Sequence, residues 1–182
     1  MSSDRRLKIL RILSLVFVVG IVAFIYFFRR QLPELARYGY AGVFMITLIA
    51  NATVFVPIPG VMIVFALGGV FQPWVTAIFA GLGGATGELS GYLLGFSGQG
   101  LAERSATYQR LLEWMGKNQK FRDLAVLALA AIPNPIFDLA GIAAGTLKVP
   151  IYRFWFFCSI GSIIKYMIFG YAGKTLLKFF FG

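Results

Sequence analysis

Val56-Pro57-Ile58-Pro59-Gly60 and Ile132-Pro133-Asn134-Pro135-Ile136 are two short apolar segments, each broken by a pair of prolines, at corresponding places in the two halves of a 182-residue chain. A proline inside a helix removes a backbone donor and clashes with the preceding turn, so each pair marks a break. In a repeated membrane protein, paired interruptions of this kind predict broken or re-entrant helices whose ends meet near the bilayer midplane and build a substrate site. Pro57, Pro59, Gly60, Pro133 and Pro135 are therefore the expected breaks.

Composition decides the solvent. With 59% hydrophobic residues and 13% charged ones, and a mean hydropathy of +0.80, too little polar surface exists to cover a soluble globule. The net charge of +10 is carried by residues that flank apolar runs, as cytoplasmic loops and anionic headgroups require, and does not point to nucleic acid. A single cysteine, Cys158, cannot form an internal disulfide. The absence of histidine removes the commonest general base and metal ligand. No enzyme, cofactor or metal is expected, because seven acidic residues without histidine supply neither an activated nucleophile nor a metal cluster.

Outward from the breaks, four segments are expected. Residues 1–37 hold a transmembrane helix, Ile12 to Phe28, between Arg5-Arg6-Leu7-Lys8 and Arg29-Arg30; no small-residue cleavage site follows, so it reads as an uncleaved span with a cytoplasmic N-terminus. Residues 38–97 form a first repeat, 98–123 a cytoplasmic amphipathic connector, and 124–182 a second repeat. Each repeat has an apolar arm, a proline break, a Gly-rich arm, a short turn (Gln72-Pro73-Trp74 or Lys148-Val149-Pro150) and a long apolar helix. The arm Leu124 to Ile132 reaches only about half of a hydrocarbon core of roughly 30 Å. Three crossings or up to six both agree with the charges, since both put Arg5, Arg6, Lys8 and Arg11 on the side of Glu103 to Asp123. The fold class is an all-α polytopic membrane protein, an inverted repeat of two re-entrant or broken hairpins, each followed by a transmembrane helix.

Polar residues inside the apolar regions carry the functional argument, since a charge at membrane depth costs at least about 2.5–3.5 kcal/mol. Asn134 can cap a half-helix that Pro135 opens, which sets Asp138 in a first turn where the helix dipole favours a carboxylate. Asp138 is then a proton-binding or gating acid, or a helix stabiliser that touches no substrate. Glu88 and Lys165 occupy nearly equivalent places on the two long helices, and a pair between them is either structural or a latch. Asn51, Thr53, Ser159 and Ser162 complete the candidate lining. Gly83, Gly87, Gly91 and Gly95 recur every four residues, and Gly141 and Gly145 repeat the spacing, the signature of close helix packing.

Pro57 to Gly60, the glycine-rich run ending Gly91-Tyr92-Leu93-Leu94-Gly95, and Pro133 to Asp138 with Gly141, Gly145, Phe154 and Gly161 resemble the DedA/VTT (SNARE-associated, Tvp38-like) membrane proteins over residues 40–173. The resemblance implies oppositely oriented re-entrant hairpins and a role in moving lipids, by scrambling phospholipids or returning polyprenyl-phosphate carriers. Where typical DedA members carry an arginine after the Gly-Tyr segment, this chain has Phe96, and no arginine stands beside Pro133 and Pro135. The expected partners are membrane lipids, phospholipid or isoprenoid phosphate, with protons as a coupling ion and room for a homo-oligomer. The alternative is a proton-coupled small-molecule or cation exporter. A multi-pass protein of a prokaryotic cytoplasmic membrane is expected.

Overall fold

A computed structural model describes residues 38–52, 60–98, 106–116, 118–133 and 136–181. The expected N-terminal span, Thr53, Pro57, Pro59, Asn134 and Pro135 lie outside the described residues. Among those described, 87% are helical and no strand occurs, in eight helices: α1 Gly39–Ala52, α2 Gly60–Leu67, α3 Pro73–Gly87, α4 Leu89–Phe96, α5 Ala106–Gly116, α6 Gln119–Ala131, α7 Ile136–Thr146 and α8 Ile151–Phe181.

Local chemistry sets the boundaries. Gln72 is extended before Pro73, which takes the first position of α3, where its missing N–H costs nothing. Ile132, extended at φ −107° and ψ 130°, ends α6 immediately before Pro133. The α7 helix closes on Lys148, whose φ of 51° lies in the left-handed region, and whose N–H donates to the Gly145 carbonyl at 2.9 Å. At Glu88 the ladder continues between α3 and α4, through Glu88 N–H to Gly84 O at 3.0 Å and Tyr92 N–H to Glu88 O at 3.2 Å. Residues 73–96 thus rise together by about 36 Å, while α1, α2, α6 and α7 each rise about 12–21 Å, less than a hydrocarbon core of roughly 30 Å. Among the described residues one single helix, Ile151–Phe179, is long and apolar enough to cross a membrane by length and composition.

The elements occur twice in the same order: an arm (α1, α6), a shorter arm (α2, α7) and a long helix (α3–α4, α8). Each first arm lies along the long helix of its own half in the same direction. Tyr40 stacks on Phe79 at 5.5 Å, and Gly83 and Gly87 face the Phe44 and Leu48 carbonyls. In the second half, Asp123 meets Arg153 and Gly161 faces the Leu127 carbonyl. Each second arm lies along the long helix of the other half, again in the same direction. Gly60 approaches Tyr166 and Gly69 approaches Leu177, while Gly141 and Gly145 approach Tyr92, and Gly145 also Phe96. The two long helices cross in opposite directions, with Pro73 beside Gly170 and Trp155 Nε1 donating to Thr86 Oγ1 at 3.1 Å.

Packing is close because small residues occupy the contacts. Gly95 meets the Ile142 carbonyl and Gly145 the Tyr92 carbonyl so closely that a Cβ on either would overlap backbone. Ala77, Ala80, Ala85, Ala140, Ala143 and Ala144 are fully buried. Some large apolar side chains, such as Phe154, Leu67 and Met115, are buried, but others face outward, Phe156 at 53% exposure and Ile168 at 61%, while Thr47, Thr76, Glu88, Ser159, Ser162 and Lys165 are buried. Bulky apolar side chains on the outside suit lipid as the surrounding medium.

The segment expected as a connector holds one helix and the start of the next. Only Ala106–Gly116 forms a separate helix, whose buried face, Tyr108, Leu111 and Met115, packs on the core, and whose Tyr108 hydroxyl meets Thr146 Oγ1 at 2.8 Å. Lys120, Arg122 and Asp123 belong instead to the start of α6, capped by Asn118, whose side chain accepts from the Lys120 N–H at 3.2 Å.

Candidate functional site

The glycine-lined crossing of α3 and α8 leaves room for polar side chains where the short helices begin and end. Asn51, in the last turn of α1, donates from its side-chain amide to the Thr47 carbonyl at 2.7 Å and to the Tyr166 hydroxyl at 3.2 Å. Gly60, the first residue of α2, and Gly84 on α3 stand against the same amide and hydroxyl, with distances of 3.3–3.7 Å from the place a Cβ would take. The end of α1, the start of α2, α3 and α8 therefore meet at one polar point.

A charged centre lies beside it. Glu88, at the α3–α4 junction, is 6% exposed, and Lys165 on α8 is 7% exposed. Asp138 occupies the first turn of α7 and is exposed. The three charges act on one another electrostatically. Glu88 and Lys165 nonetheless form no ion pair within 4.0 Å, so the pair expected from the sequence is a longer-range coupling. The Lys165 ammonium instead lies 5.0 Å from the Tyr166 ring centroid and 5.7 Å from that of Phe137, where the ring faces attract a cation. Cys158 and Ser162 lie one turn apart on α8, both buried. Ser159 Oγ is buried and has no partner among the described residues.

Thus Asn51, Glu88, Asp138 and Lys165 of the expected site come from four elements to one region, and Asn134 lies outside the described residues. The glycines expected for packing take that role: Gly83 and Gly87 against α1, Gly95 and Gly145 against the α4–α7 contact, and Gly141 more loosely near Tyr92. Gly91 is buried. Tyr166 and Phe137 are functional candidates that the sequence reading missed. Aromatic residues within apolar helices look like lipid-facing ones, and the only signal was the adjacency of Tyr166 to Lys165. Two fixed carboxylates, one ammonium and two ring faces can bind ions and dipoles; among the described residues no group of three or more histidine, cysteine or acidic side chains is arranged to hold a metal.

The model of the VTT domain matches residues 58–175, which include α2 through most of α8. Vacuole membrane protein KMS1 of Arabidopsis thaliana is 33% identical over 112 residues, covering 51% of this chain and 27% of that protein. Human vacuole membrane protein 1 is 31% identical over 110 residues, covering 50% and 27%. The Dictyostelium discoideum homologue of that protein is 49% identical over 39 residues, 21% of this chain and 10% of its own. The matched part is about a quarter of the length of the first two relatives. No solved structure matches.

Proposed function

For a chain that belongs to the VTT-domain family, we propose a function as a lipid transporter that lets polar headgroups cross between the two leaflets, as a scramblase or as a flippase of phospholipids or isoprenoid phosphates. One observation carries this reading: the buried Glu88 and Lys165 of the two long helices lie beside Asp138, which is exposed at the start of α7, in a molecule with many outward-facing apolar side chains. A headgroup needs such a polar route, because lipid offers its charges and hydrogen-bonding groups no partners. The acyl chains need none and remain in the bilayer.

In this reading each half is a re-entrant hairpin followed by a transmembrane helix, and the halves are related by inversion. The packing directions support it. Because α1 follows α3, α2 follows α8, and α3 runs against α8, α2 returns against α1; the same reasoning turns α7 back against α6. The starts of α2 and α7 then enter from opposite faces and turn their positive dipole ends inward. The chain is multi-pass with a cytoplasmic N-terminus. The relatives' names refer to the vacuole membrane, and either an organelle or a prokaryotic cytoplasmic membrane suits the proposal. No catalytic chemistry is assigned.

A second reading, a proton-coupled exporter of a small molecule or cation, is favoured by the buried carboxylate of Glu88. Labelled phospholipid in proteoliposomes separates the two. Quenching past the outer-leaflet half, reduced in Asp138→Asn, is the result expected of a lipid transporter; quenching held at half, in vesicles that do move a cation, favours the exporter.

A further inference from the structure

Glu88 and Lys165 are both more than nine-tenths buried, and among the described residues neither has a hydrogen bond or an ion pair within 4.0 Å. A buried charge without a direct partner is costly. Two such charges of opposite sign in one region, with Asp138 exposed at the start of α7, leave places for partners that arrive from outside.

The charges specify those partners. Asp138 and Lys165 give the centre one group of each sign, and the buried Glu88 carboxyl adds a further acceptor beside them. Arg153, in the first turn of α8, does not add to them, because its guanidinium is already held by Asp123. An incoming headgroup that bears only phosphate satisfies Lys165 but brings its negative charge toward Asp138 and Glu88. A headgroup that carries an ammonium as well satisfies both signs.

Resting on the lipid-transport reading above, we infer that the centre selects zwitterionic headgroups: the ammonium goes to Asp138 and Glu88, and the phosphate goes to Lys165. Exposed Asp138 meets the ammonium first, and the buried pair receives the rest of the headgroup. A single-phosphate isoprenoid carrier or a phosphatidylglycerol is the poorer cargo.

The test is transbilayer movement of acyl-chain-labelled phospholipids in proteoliposomes of the full chain, with the label kept off the headgroup so that its ammonium is free. Phosphatidylethanolamine and phosphatidylcholine are expected to move about tenfold faster than phosphatidylglycerol and phosphatidic acid, the discrimination of one charged contact. Asp138→Asn and Glu88→Gln are expected to narrow that ratio. Equal rates for all four lipids, or faster anionic ones, overturn the selectivity while leaving lipid transport standing. No movement of any labelled lipid overturns the transport reading and the selectivity with it. Escape of trapped phosphorylethanolamine without lipid movement assigns the same chemistry to a soluble cargo and overturns the lipid assignment.

Discussion

The side-chain amide of Asn51 donates to the hydroxyl of Tyr166 at 3.2 Å, across 115 positions of sequence. The bond ties the end of α1 to the middle of α8, in contact with the first residue of α2, so it joins both halves beside the charged centre. Tyr166 is buried, and removing its hydroxyl deprives the Asn51 amide of this acceptor. Tyr166→Phe is expected to lower stability by about 1 kcal/mol, the net worth of one such bond. Thermal unfolding in detergent measures the loss, and an unchanged midpoint contradicts the assignment.

The contact between α4 and α7 depends on missing side chains. At Gly95 and Gly145 an added Cβ meets backbone of the facing helix, whereas at Gly116 it meets nothing within 4 Å. Gly145→Val and Gly95→Val are expected to cost at least about 1–3 kcal/mol through overpacking. Gly116→Ala, at the end of α5, is expected to be neutral or to stabilise by up to about 1 kcal/mol. Yields of monodisperse protein and unfolding midpoints for the three variants check the contrast.

Asp123 and Arg153 join the starts of α6 and α8, with side-chain exposures of 8% and 29%. Because the carboxylate is the more buried partner, Arg153→Met is expected to destabilise by about 1–3 kcal/mol, as for a buried group that loses a charged hydrogen bond. The double variant Arg153→Met with Asp123→Leu is expected to recover most of that loss, since it removes the stranded charge. Denaturation of the two single variants and the double variant gives the coupling directly.

Much of this was legible in the sequence wherever the signal was local. Ile132 ends α6 immediately before Pro133, and Gln72-Pro73 and Lys148-Val149-Pro150 fall in the turns, because proline and the residue before it constrain the backbone whatever surrounds them. The four-residue glycine spacing points to close packing, but it does not encode that Gly83 and Gly87 face α1 while Gly95 faces α7. Partners are chosen by tertiary contact, which spacing along one helix does not encode.

Charge alone does not separate surface from interior at the start of α6. Lys120, Arg122 and Asp123 looked like surface connector, but Asn118 caps a helix there and Asp123 is buried against a guanidinium 30 residues away. Glu88, Asp138 and Lys165 stood out because charge is rare in apolar helices. Their convergence could be anticipated from the repeated order of elements, whereas the ring contacts of Lys165 could not, since Phe137 is one apolar residue among many.

In the proposed lipid transport, a headgroup passes the charged centre. A phospholipid with a photoactivatable group in its headgroup, crosslinked in proteoliposomes and mapped by mass spectrometry, tests it most directly. Adducts are expected on the peptides carrying Glu88, Phe137, Asp138 and Tyr166, fewer of them in Asp138→Asn. Adducts confined to outward residues such as Phe156 and Ile168 would contradict it.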